Sequence, residues 1–123
     1  MTPHFHMREL ACRCGCGGLP KQDFMDKVEK LRDRLGFPLP VTSAYRCPEH
    51  NNRVSGTGRS GPHTTGRAID LGVSHSRALE AFRMALSMGF TGIGVKQHGQ
   101  GRFIHLDDLP DAEGQPRPHL WSY

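Results

Sequence analysis

The sequence predicts an α+β domain: a small antiparallel sheet with two long helices packed on it. Three observations carry this. Segments 23–35 and 76–88 repeat apolar residues at helical spacing and have a break at each end. Segments 39–45, 67–73, 91–96 and 102–107 are short, apolar or alternating, and bounded by turn residues. The chain has 123 residues with 15 Gly and 9 Pro, enough for one core threaded with turns, so a single domain spanning 1–123 is expected.

Residues 1–22 read as an irregular arm in which His4 and His6 are solvated. In 23–35, Phe24, Val28, Leu31 and Leu35 form one stripe, Asp23 suits the N-cap and Gly36 the position past the end. Pro38 and Pro40 stop the helix, and Val41 and Thr42 favour a strand. Pro48 is suited to open a short helix over 48–54, which leaves Arg46 at a strand-to-helix junction. Residues 55–62 have the composition of a flexible loop; no Gly-Lys-Ser/Thr follows its glycines, so it is not a phosphate-binding loop. In the strand 67–73, Asp70 points opposite to Ile69 and Leu71. Ser76 caps the second long helix, Leu79, Phe82 and Leu86 mark its buried stripe, and Gly89 ends it. The last two strands flank the turn Gln97–Gly101, where His98 is expected to be exposed. The tail is rich in Pro and turn residues; its Trp121 either packs across the sheet edge or walls a groove.

A formal charge of +4 fits either plain solubility or attraction to a polyanion. Without an aromatic-interleaved basic stripe, a nucleic-acid partner is not expected. No apolar run is long enough to span a membrane, and the N-terminus lacks the apolar core of a secretory signal. Cys12, Cys14 and Cys16 crowd together and Cys47 follows Arg46. The C-x-C-x-C spacing is not the C-x-x-C of zinc knuckles, so free thiols, a disulfide to Cys47 and a metal site all stay open.

The chemistry-bearing stretch is Ser60–Gly72. It holds His63 and Asp70, seven positions apart, and Phe103-Ile-His105-Leu-Asp107 offers a third ligand. Two imidazoles and a carboxylate suit zinc and leave one tetrahedral position open, as a catalytic rather than a structural site requires. Taken singly, Asp70 reads as a solvent-facing acid and His105 as a core histidine; together with His63 they read as metal ligands.

These residues resemble the zinc D-alanyl-D-alanine carboxypeptidase family, peptidoglycan peptidases related to the hedgehog N-terminal domain. The matching motifs are Ser43-Ala-Tyr45-Arg46 with His50-Asn51, then His63-Thr-Thr-Gly66-Arg-Ala68-Ile-Asp70, then Phe103-Ile-His105-Leu-Asp107, across residues 12–121. The resemblance implies a hedgehog/DD-peptidase-like fold and one catalytic Zn2+ on His63, Asp70 and His105. It also implies hydrolysis of stem-peptide bonds in bacterial peptidoglycan, as a D,D-carboxypeptidase or an endopeptidase. Arg46 would face the active site, stabilising the oxyanion or holding a substrate carboxylate. Ser43, Tyr45 and Asn51 are the accompanying substrate-binding candidates. Asp107 leaves the same strand face as His105 and is the candidate general base.

The pattern is broken at one place. Many members carry an acid three positions before the last ligand histidine, where this chain has Arg102. That leaves a second expectation, a zinc-stabilised wall- or partner-binding domain without turnover. A Cys-rich nucleic-acid module is a third. Size and the missing signal resemble small phage or prophage endolysins. Such a protein is expected to be monomeric, made in the cytoplasm, and active at the cell wall or periplasm once released.

Overall fold

The computed structural model describes residues 1–123. Its helices are α1 (Met7–Leu10), α2 (Gln22–Leu35), α3 (Pro48–Val54) and α4 (His75–Ser87). Its strands are β1 (Val41–Ser43), β2 (Ala68–Leu71), β3 (Gly92–Lys96), β4 (Phe103–Asp107) and β5 (His119–Ser122). They form one sheet in the order β1-β2-β4-β3-β5. The α+β class is as expected, but the sheet is mixed: β5 pairs with β3 in parallel, whereas the other pairs are antiparallel. Geometry explains this. Strands β2 and β3 occupy both edges of β4, so a tail returning from β4 finds a free edge on β3. A returning strand runs opposite to β4 and therefore along β3. Thr91 starts the docking, donating its hydroxyl to the Leu109 carbonyl and accepting from the His119 amide.

Each sheet face has its own task. Ile69, Leu71, Ile93, Ile104 and Leu106 enter the core with Phe24, Met25, Val28 and Leu31 of α2. Strand alternation turns Asp70, His105 and Asp107 to the other face. Helix α2 begins one residue before the expected boundary. Asp23 sits in its first turn and pairs with Arg67 rather than capping it, while Gly36 ends the helix with φ 74°.

Helix α4 starts at His75, so Ser76 lies inside its first turn rather than capping it; Ser74 holds the N-cap position without a side-chain bond, and the buried stripe is Ala78, Ala81 and Ala85, not Leu79, Phe82 and Leu86. Leu79 and Leu86 are 55% and 58% exposed. The periodicity is right but the face lies one residue over, because small side chains let the helix approach α2 and the sheet closely. Leu79 and Phe82 line an apolar groove with Ile104, Leu120 and Trp121. The arm is also more ordered than composition suggests. Phe5, Leu10 and Cys12 are buried, and His4 is not free but contacts Glu29 through Nδ1.

Candidate metal centre and substrate cleft

His63 stands on a 3-10 helix, Pro62–Thr65, which ends at Gly66 with φ 78°. Its Nδ1 lies 2.6 Å from the Ala44 carbonyl oxygen. A carbonyl only accepts, so Nδ1 carries the proton and Nε2 is bare. That Nε2 is 3.3 Å from Asp70 Oδ1. Across the sheet Asp70 is in register with His105, whose Nδ1 lies 3.0 Å from the same oxygen. The His105 Nε2 faces away, 2.7 Å from Asp107 Oδ2. The three donors are buried and drawn from three separate segments.

This set fits a divalent metal. Ligand atoms around tetrahedral zinc sit about 3.3 Å apart, given bonds of about 2.0–2.1 Å, and the two nitrogen-to-Asp70 separations are of that size. Each histidine has its outward nitrogen on an oxygen acceptor, which fixes the ring and leaves the inward nitrogen a lone pair. Burial alone would raise the Asp70 carboxyl pKa; with both rings protonated and no metal bound, hydrogen bonds from His105 and His63 outweigh it and hold the group well below the usual carboxylate range. Burial would likewise lower His105, yet its bonds to Asp107 and Asp70 raise it. A bound cation supplies the same positive charge to Asp70 that these protons otherwise supply.

Asp107 leaves the expected face, but the geometry removes it from the role of general base. It lies behind His105, on the far side of the ring from Asp70, and is fully buried. Arg117 Nε and Nη2 donate to its two oxygens at 2.9 and 2.8 Å, and the Leu109 amide adds a third bond. Burial pushes its pKa up, but the bonds from His105 and Arg117 win and bring it down to about 2. No lone pair is left facing a substrate. Asp107 orients His105 instead. Strand alternation correctly gave the shared face; the imidazole standing between Asp107 and the cleft is a tertiary fact.

The expected substrate-binding group divides in a similar way. Arg46 approaches Asp70, Nη2 to Oδ2 3.9 Å, and lines a cleft of about 430 Å³ with His63, Asp70, His105, Trp121 and Tyr123. Ser43, Tyr45 and Asn51 do not line it. Ser43 Oγ accepts from Arg46 Nε at 3.1 Å, and Asn51 Oδ1 accepts from Nη1 at 3.1 Å. Asn51 also donates to the Thr57 hydroxyl and the Gly58 carbonyl, tying down the loop beside the cleft. Both therefore position the guanidinium rather than touch a ligand. Tyr45 faces Gly18 in the N-terminal arm, so close that a Cβ at Gly18 would overlap its ring. Arg102, where an acid was expected, bonds only the Gly99 carbonyl in the turn and does not line the cleft.

Comparison with known proteins gives the chain its family. A family model described as peptidase M15 matches residues 3–107. The chain belongs to the peptidase M15 family. Among curated relatives, the peptidoglycan L,D-endopeptidase MepK of Escherichia coli K12 is 30% identical over 91 residues. The MepK of Shigella flexneri matches equally. Each alignment covers 69% of this chain and 49% of the relative, so the chain spans about half the length of the curated relatives it matches.

The M15 match stops at Asp107, and sequence reasoning was weakest beyond it. Trp121 does both things open to it: it lies in the edge strand β5, opposite Gly94, and places its ring 5.1 Å from that of His105. Gly94 is required there, because a Cβ would fall on the Trp121 indole; at Gly92 it would fall on the Asp107 carboxylate. Arg117 stacks over Trp121, and Tyr123 packs on Phe103. Burial, with Asp70 nearby, raises the Tyr123 hydroxyl pKa, and the residue lines the cleft. Nothing in the spacing of Arg117 or Tyr123 announces these contacts.

Proposed function

We propose that this M15 chain is a zinc-dependent peptidase that hydrolyses peptide bonds in the stem peptides of bacterial peptidoglycan. The observation that carries it is the convergence of His63 Nε2, Asp70 Oδ1 and His105 Nδ1 in a cleft that also receives Arg46. Zinc held by these three would polarise a scissile carbonyl and acidify water. His63 and His105 present bare inward nitrogens when each ring keeps its proton on the outward nitrogen and donates it to the Ala44 carbonyl or to Asp107. Arg46 is held by Ser43 and Asn51 with Nη2 directed into the cleft, suited to a substrate carboxylate or a developing oxyanion. Trp121, Phe103 and Tyr123 shield one wall. Asp107 is enclosed behind His105, so it steadies that ring rather than meeting the substrate.

One observation favours a second reading, a zinc-stabilised binding domain without turnover: apart from Asp70, no carboxylate lines the cleft. Digestion of purified peptidoglycan decides between them. The peptidase reading expects new amines from the wild type, none after chelation or in His63→Ala, and recovery of the chelated wild type with zinc. Zinc binding and wall binding with no bond cleaved would establish the alternative. Mass analysis of the released peptides separates an L,D-endopeptidase, as the MepK relatives are named, from a D,D-carboxypeptidase. The same experiment tests action at the wall. No helix is long and apolar enough to cross a membrane.

A further inference from the structure

We propose that Cys12, Cys14, Cys16 and Cys47 form a second metal site, a closed four-thiolate centre for zinc that fastens the N-terminal arm beside Arg46. The four sulfurs come within 4.8 Å of one another. Cys12 and Cys14 Sγ are 3.4 Å apart, and Cys14 and Cys47 Sγ 3.6 Å. Tetrahedral zinc with Zn–S bonds of about 2.3 Å sets its sulfurs about 3.8 Å apart. A disulfide would account for two of these groups and leave two more in the same place; a tetrahedron uses all four.

The backbone is shaped for the cluster. C-x-C-x-C spacing brings three sulfurs together only if the chain coils between them. Gly15 and Gly17 supply that, with φ 85° and 83°. The Gly15 amide bonds the Cys12 carbonyl, and the Cys12 amide bonds the Gly18 carbonyl, closing the loop. Two further amides point at sulfur: Cys47 N–H at Cys12 Sγ, 3.3 Å, and His50 N–H at Cys47 Sγ, 3.4 Å. Amides aimed at sulfur favour the thiolate that a metal needs.

Four protein donors leave no open coordination position, so the site is structural. Its effect follows from where the ligands sit. Three belong to the arm, and the fourth, Cys47, is the N-cap of α3 and the neighbour of Arg46. Metal there clamps the arm to the junction from which Arg46 reaches the cleft. This centre shares no ligand with His63, Asp70 and His105, so its failure and that of the peptidase reading are separable.

The test uses the full chain, purified under reducing conditions, loaded with zinc or cobalt(II), and assayed for metal per chain and for absorption. The wild type is expected to hold two metals and to show thiolate-to-cobalt charge transfer. His63→Ala with His105→Ala is expected to keep one metal and that absorption; Cys47→Ser is expected to keep one metal and lose it. Should Cys47→Ser not fold, titrating wild-type thiols with a mercurial reads the same property, with one zinc expected to leave as the four thiols react. The proposal is overturned if the reduced wild type shows no thiolate absorption, or if all four thiols react without zinc release. It is equally overturned if the absorption persists in folded Cys47→Ser.

Discussion

Replacing Asp107 by Asn separates a residue that moves protons from one that holds a ligand in place. In the structure this carboxylate receives two bonds from Arg117, one from the Leu109 amide and one from His105. The Arg117 side chain is 5% exposed, so neutralising Asp107 leaves a buried cation without its partner. Breaking one side of a buried pair costs about 3–5 kcal/mol; Asn retains one acceptor, so about 3 kcal/mol is expected by denaturant unfolding of the zinc-free protein. Losing the carboxylate behind a metal-binding imidazole weakens metal affinity about 10- to 100-fold, to be read by competition with a chromophoric chelator. Activity at saturating zinc should then return to within about tenfold of the wild type, since the His105 inward nitrogen survives. Arg117→Met in the same chain should restore much of the lost stability by removing the orphaned charge. The reasoning fails if Asp107→Asn binds zinc as the wild type does yet loses about 100-fold or more in kcat when fully loaded, because that is the mark of a proton-transfer residue.

Four further outcomes are expected. Arg46→Lys, which cannot present a planar fork to Ser43, Asn51 and a ligand together, should lower kcat/KM at least about tenfold with zinc content unchanged; unchanged kcat/KM would remove Arg46 from the cleft chemistry. Gly94→Ala should displace the indole and quench or shift Trp121 fluorescence, destabilising the fold by about 1–3 kcal/mol, whereas a wild-type spectrum and stability would contradict the close approach. Ala81→Leu should cost about 1–3 kcal/mol and Leu86→Ala less than about 0.5 kcal/mol in chemical denaturation, the reverse of what an apolar Leu stripe implies. The Asp107 pKa falls from 3.8 to about 2 on folding, so the stability it contributes is present above the higher value and lost as pH drops through the lower. That linkage is worth about 2 kcal/mol and should be missing from the acid-unfolding profile of zinc-free Asp107→Asn; an identical slope in both proteins would refute it.

Helix α2 was legible to within one residue because Phe24, Val28 and Leu31 repeat at helical spacing and Gly36 supplies a left-handed stop. The stripe of α4 was misplaced because leucine is the stronger hydrophobic signal, although alanine is what close helix packing needs. Strand alternation put Asp70 opposite Ile69 and Leu71, and His105 with Asp107, and that was right; that all three share one face was decided by the register of β2 on β4. The tail was unreadable for another reason: β5 gains its hydrogen bonds from an edge of β3, and no local pattern in Pro116–Tyr123 encodes an edge vacated elsewhere. Among the cysteines, spacing argued against a metal loop, and only the coil at Gly15 and Gly17 brings the sulfurs together.

The sequence by itself determined the helix periods, the strand faces, and the identity and order of His63, Asp70 and His105, because short-range alternation and side-chain chemistry are written residue by residue. Tertiary structure alone decided which nitrogen each histidine turns inward, that Asp107 stands behind a ring and not before a substrate, and that Arg117, Trp121 and Tyr123 belong to the site. Those assignments depend on contacts between segments far apart in the chain, where burial and hydrogen-bond partners are set by the fold as a whole.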